Sequence, residues 1–398
     1  MKALIIGNGI AGVNVAAELR ALEPDPGKLE IEIHAKEAWD FYSRIRLPEV
    51  ISSGLGPQDI ALYKEEWYKR RSIEVRKSHS VARILTDTSQ VEFQDGQRLA
   101  YDVLAICTGS RPMRFPAPGI DKAGIDCLRT YDDARDLRAA IQAGRKRMAV
   151  VGGGLLGLEA AYHLKLAGVE DVCVIEIAER LLPRQLDAAA AGILRTLLEE
   201  RGLSFRLGAK VEAYEGGEAV SGLRLASGET IGAEGVLLSS GVSPETELAK
   251  AAGIACGRGI SVDCFMRSFA KGVFAAGDAA EFEGRSWGII PAALEQARAA
   301  ARAMLGDLGS PYVQTLPKTS LKVAGIDLLS MGLAVPAPEE EASLECVIRQ
   351  DEEGSRYEKF ILREGILVGA ILLGSKKNQA WAGAAMGKPI RKEDIPGL

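Results

Sequence analysis

Two glycine-rich turns carry the strongest chemical signal in the chain. Gly7-Asn8-Gly9-Ile10-Ala11-Gly12 follows the apolar run Lys2 to Ile6 and opens a helical pattern through Val13, Ala16, Ala17, Leu19 and Arg20. Gly152-Gly153-Gly154-Leu155-Leu156-Gly157 follows Met148 to Val151 and opens a helix carrying Glu159, Ala160, Ala161 and Leu164. Strand, G-x-G-x-x-G, then helix is an order that suits the pyrophosphate of a dinucleotide. The first glycine permits the tight turn, the second lets the pyrophosphate approach the backbone, and the third lets helix pack on strand. The helix N-terminus then offers its N–H groups to the anion. One such turn is weak evidence, since glycine-rich turns are common. Two, each with an alanine in register past the third glycine (Ala16 and Ala161), imply one plan used twice.

Other segments repeat in step with these turns. Leu104-Ala105-Ile106-Cys107-Thr108-Gly109-Ser110-Arg111-Pro112 resembles Leu237-Leu238-Ser239-Ser240-Gly241-Val242-Ser243-Pro244, and each follows a hairpin-like region. The second copy has a strand ending at Glu176, where a carboxylate takes the hydroxyls of an adenosine ribose and repels a 2′-phosphate. That favours NADH over NADPH; Arg180 and Arg184 are the competing signal, a phosphate site if their loop folds back. In the first copy Ala35 stands in the corresponding place, and Glu37 is the nearest candidate for the ribose. A third element, KGVFAAGDAA at 271–280, reads as a strand ending in Gly277-Asp278, and a helix is predicted to begin at about Pro291. Its N-terminus suits the electron-rich edge of a flavin ring.

Composition limits what these elements can belong to. The chain has 398 residues, 47% of them apolar and 26% charged, with a net charge of -5. This describes two or three globular domains and argues against a nucleic-acid binder. The 44 glycines are in excess, in keeping with several tight turns or close approaches to a ligand. The six cysteines form no C-x-x-C pair, and there are only three histidines, so no metal site is expected. Scattered cysteines fit a reducing cytoplasm. Asn8, Asn14 and Glu18 interrupt the first apolar run, which therefore reads as part of the fold rather than as a signal peptide. No uninterrupted apolar stretch is long enough for a membrane span.

Taken together, Gly7/Gly9/Gly12, Thr108-Gly109, Gly152/Gly154/Gly157 with Glu159 and Glu176, and Ala276-Gly277-Asp278 resemble the FAD-dependent pyridine nucleotide-disulfide oxidoreductases. The resemblance runs over about residues 1–330 and implies an α/β fold: two Rossmann-like domains of the glutathione-reductase type and a small C-terminal α+β domain. It implies an FAD-binding domain from 1–112 and 242–316, an NADH-binding domain at 113–241 and an interface domain at 317–398. It brings Val81, Thr108, Gly109, Asp278 and Ala293 to the FAD side and Gly241 to the cofactor-binding set, with Asp278 on the ribitol or pyrophosphate. It also implies that Glu159, read as lying in the first turn of its helix, orients the nicotinamide.

Family members that reduce disulfides keep a redox cysteine pair either in the early segment that here reads FYSRIRLPEVISSG or inside the NADH-binding domain, and the peroxidase and water-forming oxidase branch keeps a single early cysteine. Without that thiol, the resemblance narrows to NADH:rubredoxin oxidoreductases and the flavin domain of NADH-dependent nitrite reductases, with Arg44 as a candidate for tuning the reduced flavin. The expectation is hydride transfer from NADH to FAD and electron transfer to a rubredoxin-like acceptor, by a monomer or homodimer. A peroxide-forming NADH oxidase, a flavin subunit of a nitrite or nitric oxide reductase system, and a redox-responsive binding module are the alternatives. Lys318, Lys322, Lys376, Lys377, Arg391 and Lys392 are candidates for a basic rim facing an acidic acceptor.

Overall fold

The structure, a computed structural model, describes residues 1–316, 318–351 and 354–397, with backbone alone for 318–323. Two compact units divide the chain: residues 1–46, 55–112 and 242–315 form one, and residues 47–54, 113–241 and 316–398 the other. The short helix Leu47–Ser53 thus leaves the flanking sequence and packs in the second unit.

The first unit is built on a parallel sheet in the order Val273–Ala275, Val103–Ile106, Lys2–Ile6, Glu30–His34, Ile73–Arg76. Its strands Val273–Ala275, Val103–Ile106 and Lys2–Ile6 are apolar on both faces because both are covered, while Glu30–His34 and Ile73–Arg76 alternate apolar and charged residues. Ala3, Ile5, Ile31, Ile33 and Ala105 share one core with Val13, Ala16 and Leu19 of the helix Ile10–Leu22 and with Ala293, Ala297 and Ala300 of the helix Ile290–Met304. Leu4, Ile6, Leu104 and Ile106 point the other way, onto Val81, Val91 and Phe93 of an antiparallel three-stranded sheet. The alternation follows from the two-residue period of a strand.

The second unit repeats the plan. Its parallel sheet runs Ile125–Cys127, Gly235–Leu238, Arg147–Val151, Asp171–Ile175, Leu203–Arg206, again with the strand before the glycine turn at its centre. Val211–Glu215, Gly222–Leu225 and Thr230–Gly232 form the matching antiparallel sheet. The hairpin-like regions of the sequence are therefore parts of two three-stranded sheets. Ala16 and Ala161, the paired alanines, are both fully buried.

A five-stranded antiparallel sheet, ordered Lys318–Val323, Ile326–Gly332, Ile366–Leu373, Tyr357–Arg363, Glu345–Gln350, completes the second unit. Glu364 and Gly365, both at positive φ, make the tight hairpin turn that joins Tyr357–Arg363 to Ile366–Leu373. The helix Gln379–Ala385 lies on this sheet through Trp381, whose ring meets Phe360 edge-on at 5.6 Å. Asp187, which caps the helix Ala188–Glu199, also accepts from Tyr357 Oη at 2.8 Å and Lys359 Nζ at 3.0 Å and so ties this sheet to the part built on the parallel sheet.

Candidate functional site

Both glycine turns are shaped by the protein at two positions and open at the third. A Cβ on Gly7 would stand 2.2 Å from the Cys107 carbonyl oxygen, and one on Gly12 only 2.0 Å from the carbonyl oxygen of Gly7. The second turn matches: a Cβ on Gly152 would be 2.4 Å from Ser239 O, and one on Gly157 2.1 Å from Gly152 O. Around Gly9 and Gly154, by contrast, nothing lies within 4 Å of an added Cβ. Backbone enforces the first and third glycines, and the second faces open space where a ligand backbone contact can form.

The helix starts behave accordingly. The helices Tyr131–Gln142 and Ala188–Glu199 have side-chain caps, from Thr130 with Asp133 and from Asp187. The helices Ile10–Leu22 and Leu155–Leu166 begin at Gly9 and Gly154 with no side-chain cap. Their first-turn N–H groups lack an intrahelical acceptor and suit a phosphate. The helix Ile290–Met304 starts without a side-chain cap too, with Pro291 in its first turn.

In the first unit, several sequence candidates converge. Gly277 sits at φ +79, and a Cβ placed on it would approach the Ala11 Cβ to 2.7 Å and the Ala293 Cβ to 3.9 Å. Asp278 accepts from Ser110 Oγ at 2.6 Å. Thr108 Oγ1 donates to the Glu245 carbonyl at 2.8 Å beside Gly109, which is at φ +76. Arg44 pairs with Glu37 at 2.6 Å and lies over the Tyr42 ring at 5.5 Å, and Tyr42 Oη donates to the second Glu37 oxygen at 2.5 Å. Desolvation opposes the Arg44 charge, but Tyr42, Glu37 and Asp278 together hold it above the ordinary arginine value. Arg44 is thus ion-paired, with 35% of its side chain still exposed. Val81 begins a strand just past His79, whose backbone N–H donates to Ala35 O at the end of the second parallel strand.

In the second unit, Glu176 Oε2 accepts from Gly153 N at 2.6 Å and Oε1 from Ala178 N at 2.8 Å, so the carboxylate is fixed at the edge of the glycine turn. Arg180 is turned back onto the carbonyls of Leu186 and Pro183. Arg184 is exposed. Gly241 is at φ +98, and a Cβ there would meet only Met113 Sδ, at 3.7 Å.

Glu159 needs a correction. The helix spans Leu155–Leu166 and has no acidic residue in its first turn, so Glu159 lies in the second turn and the helix dipole does not account for it. Its Oε1 accepts from the Ala324 backbone N–H at 2.6 Å, and Oε2 is 3.7 Å from His163 Nε2. Burial raises its pKa, the Ala324 N–H works against that, and Glu49 adds to it. His163 Nδ1 in turn meets Ser52 Oγ at 2.7 Å. Sequence reasoning missed this group because Ser52 is remote in the chain and reaches it only through the helix Leu47–Ser53.

The C-terminal cations are mostly engaged locally. Lys376 pairs with Asp327, Lys392 with Glu345 and Arg391 with Asp394. The Lys318 and Lys322 side chains lie outside the described residues. Among the described residues no group of three or more His, Cys, Asp or Glu side chains could hold a metal ion, and no helix is long and apolar enough to cross a membrane.

Two sheets of one design, each presenting an uncapped helix start over a glycine turn, define a protein with two dinucleotide-binding sites. The chain belongs to the pyridine nucleotide-disulphide oxidoreductase family, whose profile matches residues 1–302; that of the rubredoxin NAD+ reductase C-terminal domain matches residues 317–390. The family depends on FAD and a nicotinamide dinucleotide. A nitrite reductase (NAD(P)H) of Bacillus subtilis (strain 168) is 36% identical over 372 residues, which are 93% of this chain and 45% of that protein. The ferredoxin–NAD(+) reductase component of the biphenyl dioxygenase system of Paraburkholderia xenovorans (strain LB400) is 34% identical, over 88% of this chain and 84% of that one. The crystal structure of NADH:rubredoxin oxidoreductase from Clostridium acetobutylicum superimposes with a TM-score of 0.78 at 26% identity, covering 100% of this chain and 97% of that chain. The chain therefore spans 84% and 97% of these two reductases but less than half of the nitrite reductase.

Both cradles suit a dinucleotide by the geometry above: the open space at Gly9 and Gly154 and the helix starts without side-chain caps.

Proposed function

We propose that the chain is an NADH:acceptor oxidoreductase that holds FAD in its first unit and NADH in its second and delivers electrons to a small iron protein of the rubredoxin type, in the cytoplasm. When bound, FAD accepts a hydride from NADH and passes electrons on, singly or in pairs. The residues of the chain bind, orient and select. Gly7, Gly9 and Gly12 cradle the FAD pyrophosphate, Thr108, Gly109, Val81 and Ala293 shape its surroundings, and Asp278 takes a hydroxyl or phosphate-side contact. Glu37 and Arg44, fixed to one another, place a cation beside the flavin site. Gly152, Gly154, Gly157 and Gly241 receive NADH, Glu176 takes the adenosine ribose, and Glu159 orients the nicotinamide without moving a proton.

The observation that carries this reading is the state of the thiols in the first unit. Reactive chemistry at cysteine needs a thiolate and access. Cys107 is buried, and burial pushes its thiol up to about 12; burial also raises Cys256. The segment Tyr42-Ser43-Arg44-Ile45-Arg46 contains no cysteine. All six cysteines are free, so electrons reaching FAD have no protein disulfide to reduce and pass to an external acceptor.

Stopped-flow mixing with NADH tests the proposal: flavin absorbance falls quickly, and reduced rubredoxin then forms far faster than oxygen is consumed. Oxygen reacting as fast as rubredoxin would favour the peroxide-forming oxidase. The nitrite reductase relative favours one further reading, a flavin module that feeds a separate reductase protein, because this chain matches 45% of that relative. Binding such a partner chain, with electron transfer to it and none to rubredoxin, would establish that reading.

A further inference from the structure

Glu159 is held from two sides by residues that no motif brings together. Its Oε1 accepts the Ala324 backbone N–H at 2.6 Å, and its Oε2 lies 3.7 Å from Nε2 of His163, one helical turn on. The other imidazole nitrogen, Nδ1, meets Ser52 Oγ at 2.7 Å. His163 stands in the last turn of the helix Leu155–Leu166, where the helix dipole favours a cation. Burial nevertheless lowers its pKa, against an opposing pull from Glu49, so at neutral pH the ring is uncharged and gains little there. A neutral imidazole has one N–H, and its partners decide which nitrogen carries it. A lone pair on Nε2 would face the Glu159 carboxylate, whereas Nδ1 faces a hydroxyl that can donate. The proton therefore belongs on Nε2, and Ser52 donates to Nδ1.

Ser52 reaches the imidazole because the helix Leu47–Ser53 packs on the helix Leu155–Leu166 and is pinned there by Arg138, which donates to the Ile51 and Ser52 carbonyls at 2.7 and 2.9 Å. The Ser52 hydroxyl has a longer alternative in the Glu49 carbonyl, at 3.3 Å. The first copy of the fold uses the matching positions otherwise. Asn14 and Glu18 stand where Glu159 and His163 stand relative to the third glycine. Asn14 donates to Ile10 O at 2.7 Å, and Glu18 pairs with Arg298 at 3.3 Å. The chain Ser52–His163–Glu159 thus belongs to the second copy and not to the helix design that the two share.

We propose that His163 is a positioning residue for hydride transfer: oriented by Ser52, its Nε2–H fixes Glu159 Oε2 while Ala324 fixes Oε1, so that the carboxylate meets the carboxamide of the nicotinamide in one set direction. The proposal rests on the reading that Glu159 orients the nicotinamide. His163 acts through Glu159. Its contribution appears in the rate of transfer at saturating NADH rather than in NADH affinity, because a nicotinamide held at the wrong angle still binds.

Stopped-flow reduction of the flavin-loaded chain over a range of NADH concentrations separates the limiting rate from the dissociation constant. His163→Leu lowers the limiting rate about tenfold or more and leaves the dissociation constant within about twofold of native. His163→Gln, which keeps an N–H near the place of Nε2, recovers most of the rate. His163→Asn, whose amide reaches only the place of Nδ1 and the Ser52 hydroxyl, does not. Ser52→Ala, which frees the ring to turn its lone pair towards Glu159, loses less than His163→Leu. Lys165→Ala is the control from the same turn; its Nζ donates to Glu170 O at 2.8 Å, and the variant keeps the native rate. Adding His163→Leu to Glu159→Gln brings no further loss, because His163 acts only through the carboxylate. A native limiting rate in His163→Leu would overturn the proposal, as would equal rates in the glutamine and asparagine variants or a fully additive loss in the double variant. A native rate in Glu159→Gln alone would overturn the role of Glu159 on which the proposal rests.

Discussion

Glu176 holds two backbone N–H groups at the end of a parallel strand, and this fixes the carboxylate at the site proposed for the adenosine ribose. Replacing it with alanine removes a charged acceptor from the ribose and leaves the Gly153 and Ala178 N–H groups to water. Steady-state kinetics of Glu176→Ala are expected to show a KM for NADH about ten- to a hundredfold higher, with discrimination against NADPH largely lost. Glu159 behaves differently. Its pKa is raised mainly by burial, so its ionised form is less favourable in the folded state than in the unfolded one. A raised carboxylate pKa means stability that is present below the unfolded value and lost as pH rises through the folded one. Glu159→Gln removes that penalty at neutral pH. Thermal unfolding should therefore occur no lower than in the native protein, while NADH turnover declines; a fall in both would assign Glu159 a structural role. The place of Glu176 was legible in the sequence because a parallel strand that follows a glycine turn and its helix ends beside that turn. The pairing of Glu159 with His163 and Ser52 was not legible, since Ser52 reaches it from far along the chain.

At the scale of elements, the glycine turns separate folding from binding. Gly9→Ala adds a Cβ into open space at a backbone of φ -92, which alanine adopts readily. That variant is expected to fold with native-like circular dichroism and to be purified largely without FAD. Gly7→Ala places its Cβ 2.2 Å from a carbonyl oxygen at φ +113, and neither atom can yield. A cost of about 4 kcal/mol or more is expected, seen as loss of soluble protein or a sharply lower unfolding midpoint in urea. Gly154→Ala should spare FAD content and raise the KM for NADH. The duplicated sheets were readable because apolar strands, glycine turns and helices recur in one order. The allegiance of Leu47–Ser53 was not, because nothing in a short amphipathic helix says which sheet it packs beside; here Arg138 fixes it by donating to the Ile51 and Ser52 carbonyls at 2.7 and 2.9 Å.

At the scale of the whole molecule, the second unit joins a dinucleotide-binding sheet to the C-terminal antiparallel sheet through Asp187. Burial opposes ionisation of Asp187, but the Ala190 N–H, Tyr357 and Lys359 together hold its pKa below the ordinary value of 3.8. A depressed carboxylate pKa gives stability that is present above the unfolded value and lost as pH falls through the folded one. Asp187→Asn is expected to lower stability by about 1–3 kcal/mol near neutral pH, and the difference from the native protein should close as the solution is taken below about pH 4. Chemical unfolding of both proteins across that range measures it, and a difference independent of pH would mean that the aspartate acts only as a helix cap. The sequence could not announce this tie, since it joins residues that lie far apart in the chain and have no motif in common. The central claim, that FAD in this chain is reduced by NADH and hands its electrons outward without a protein thiol, is tested most directly by rapid mixing. The flavin-loaded chain, reduced anaerobically with one equivalent of NADH, should lose its visible absorbance with all six thiols still titrating as before, and oxidised rubredoxin should restore that absorbance much faster than air-saturated buffer does. Absorbance that NADH leaves unchanged, or reduced flavin that rubredoxin reoxidises no faster than oxygen, would contradict it.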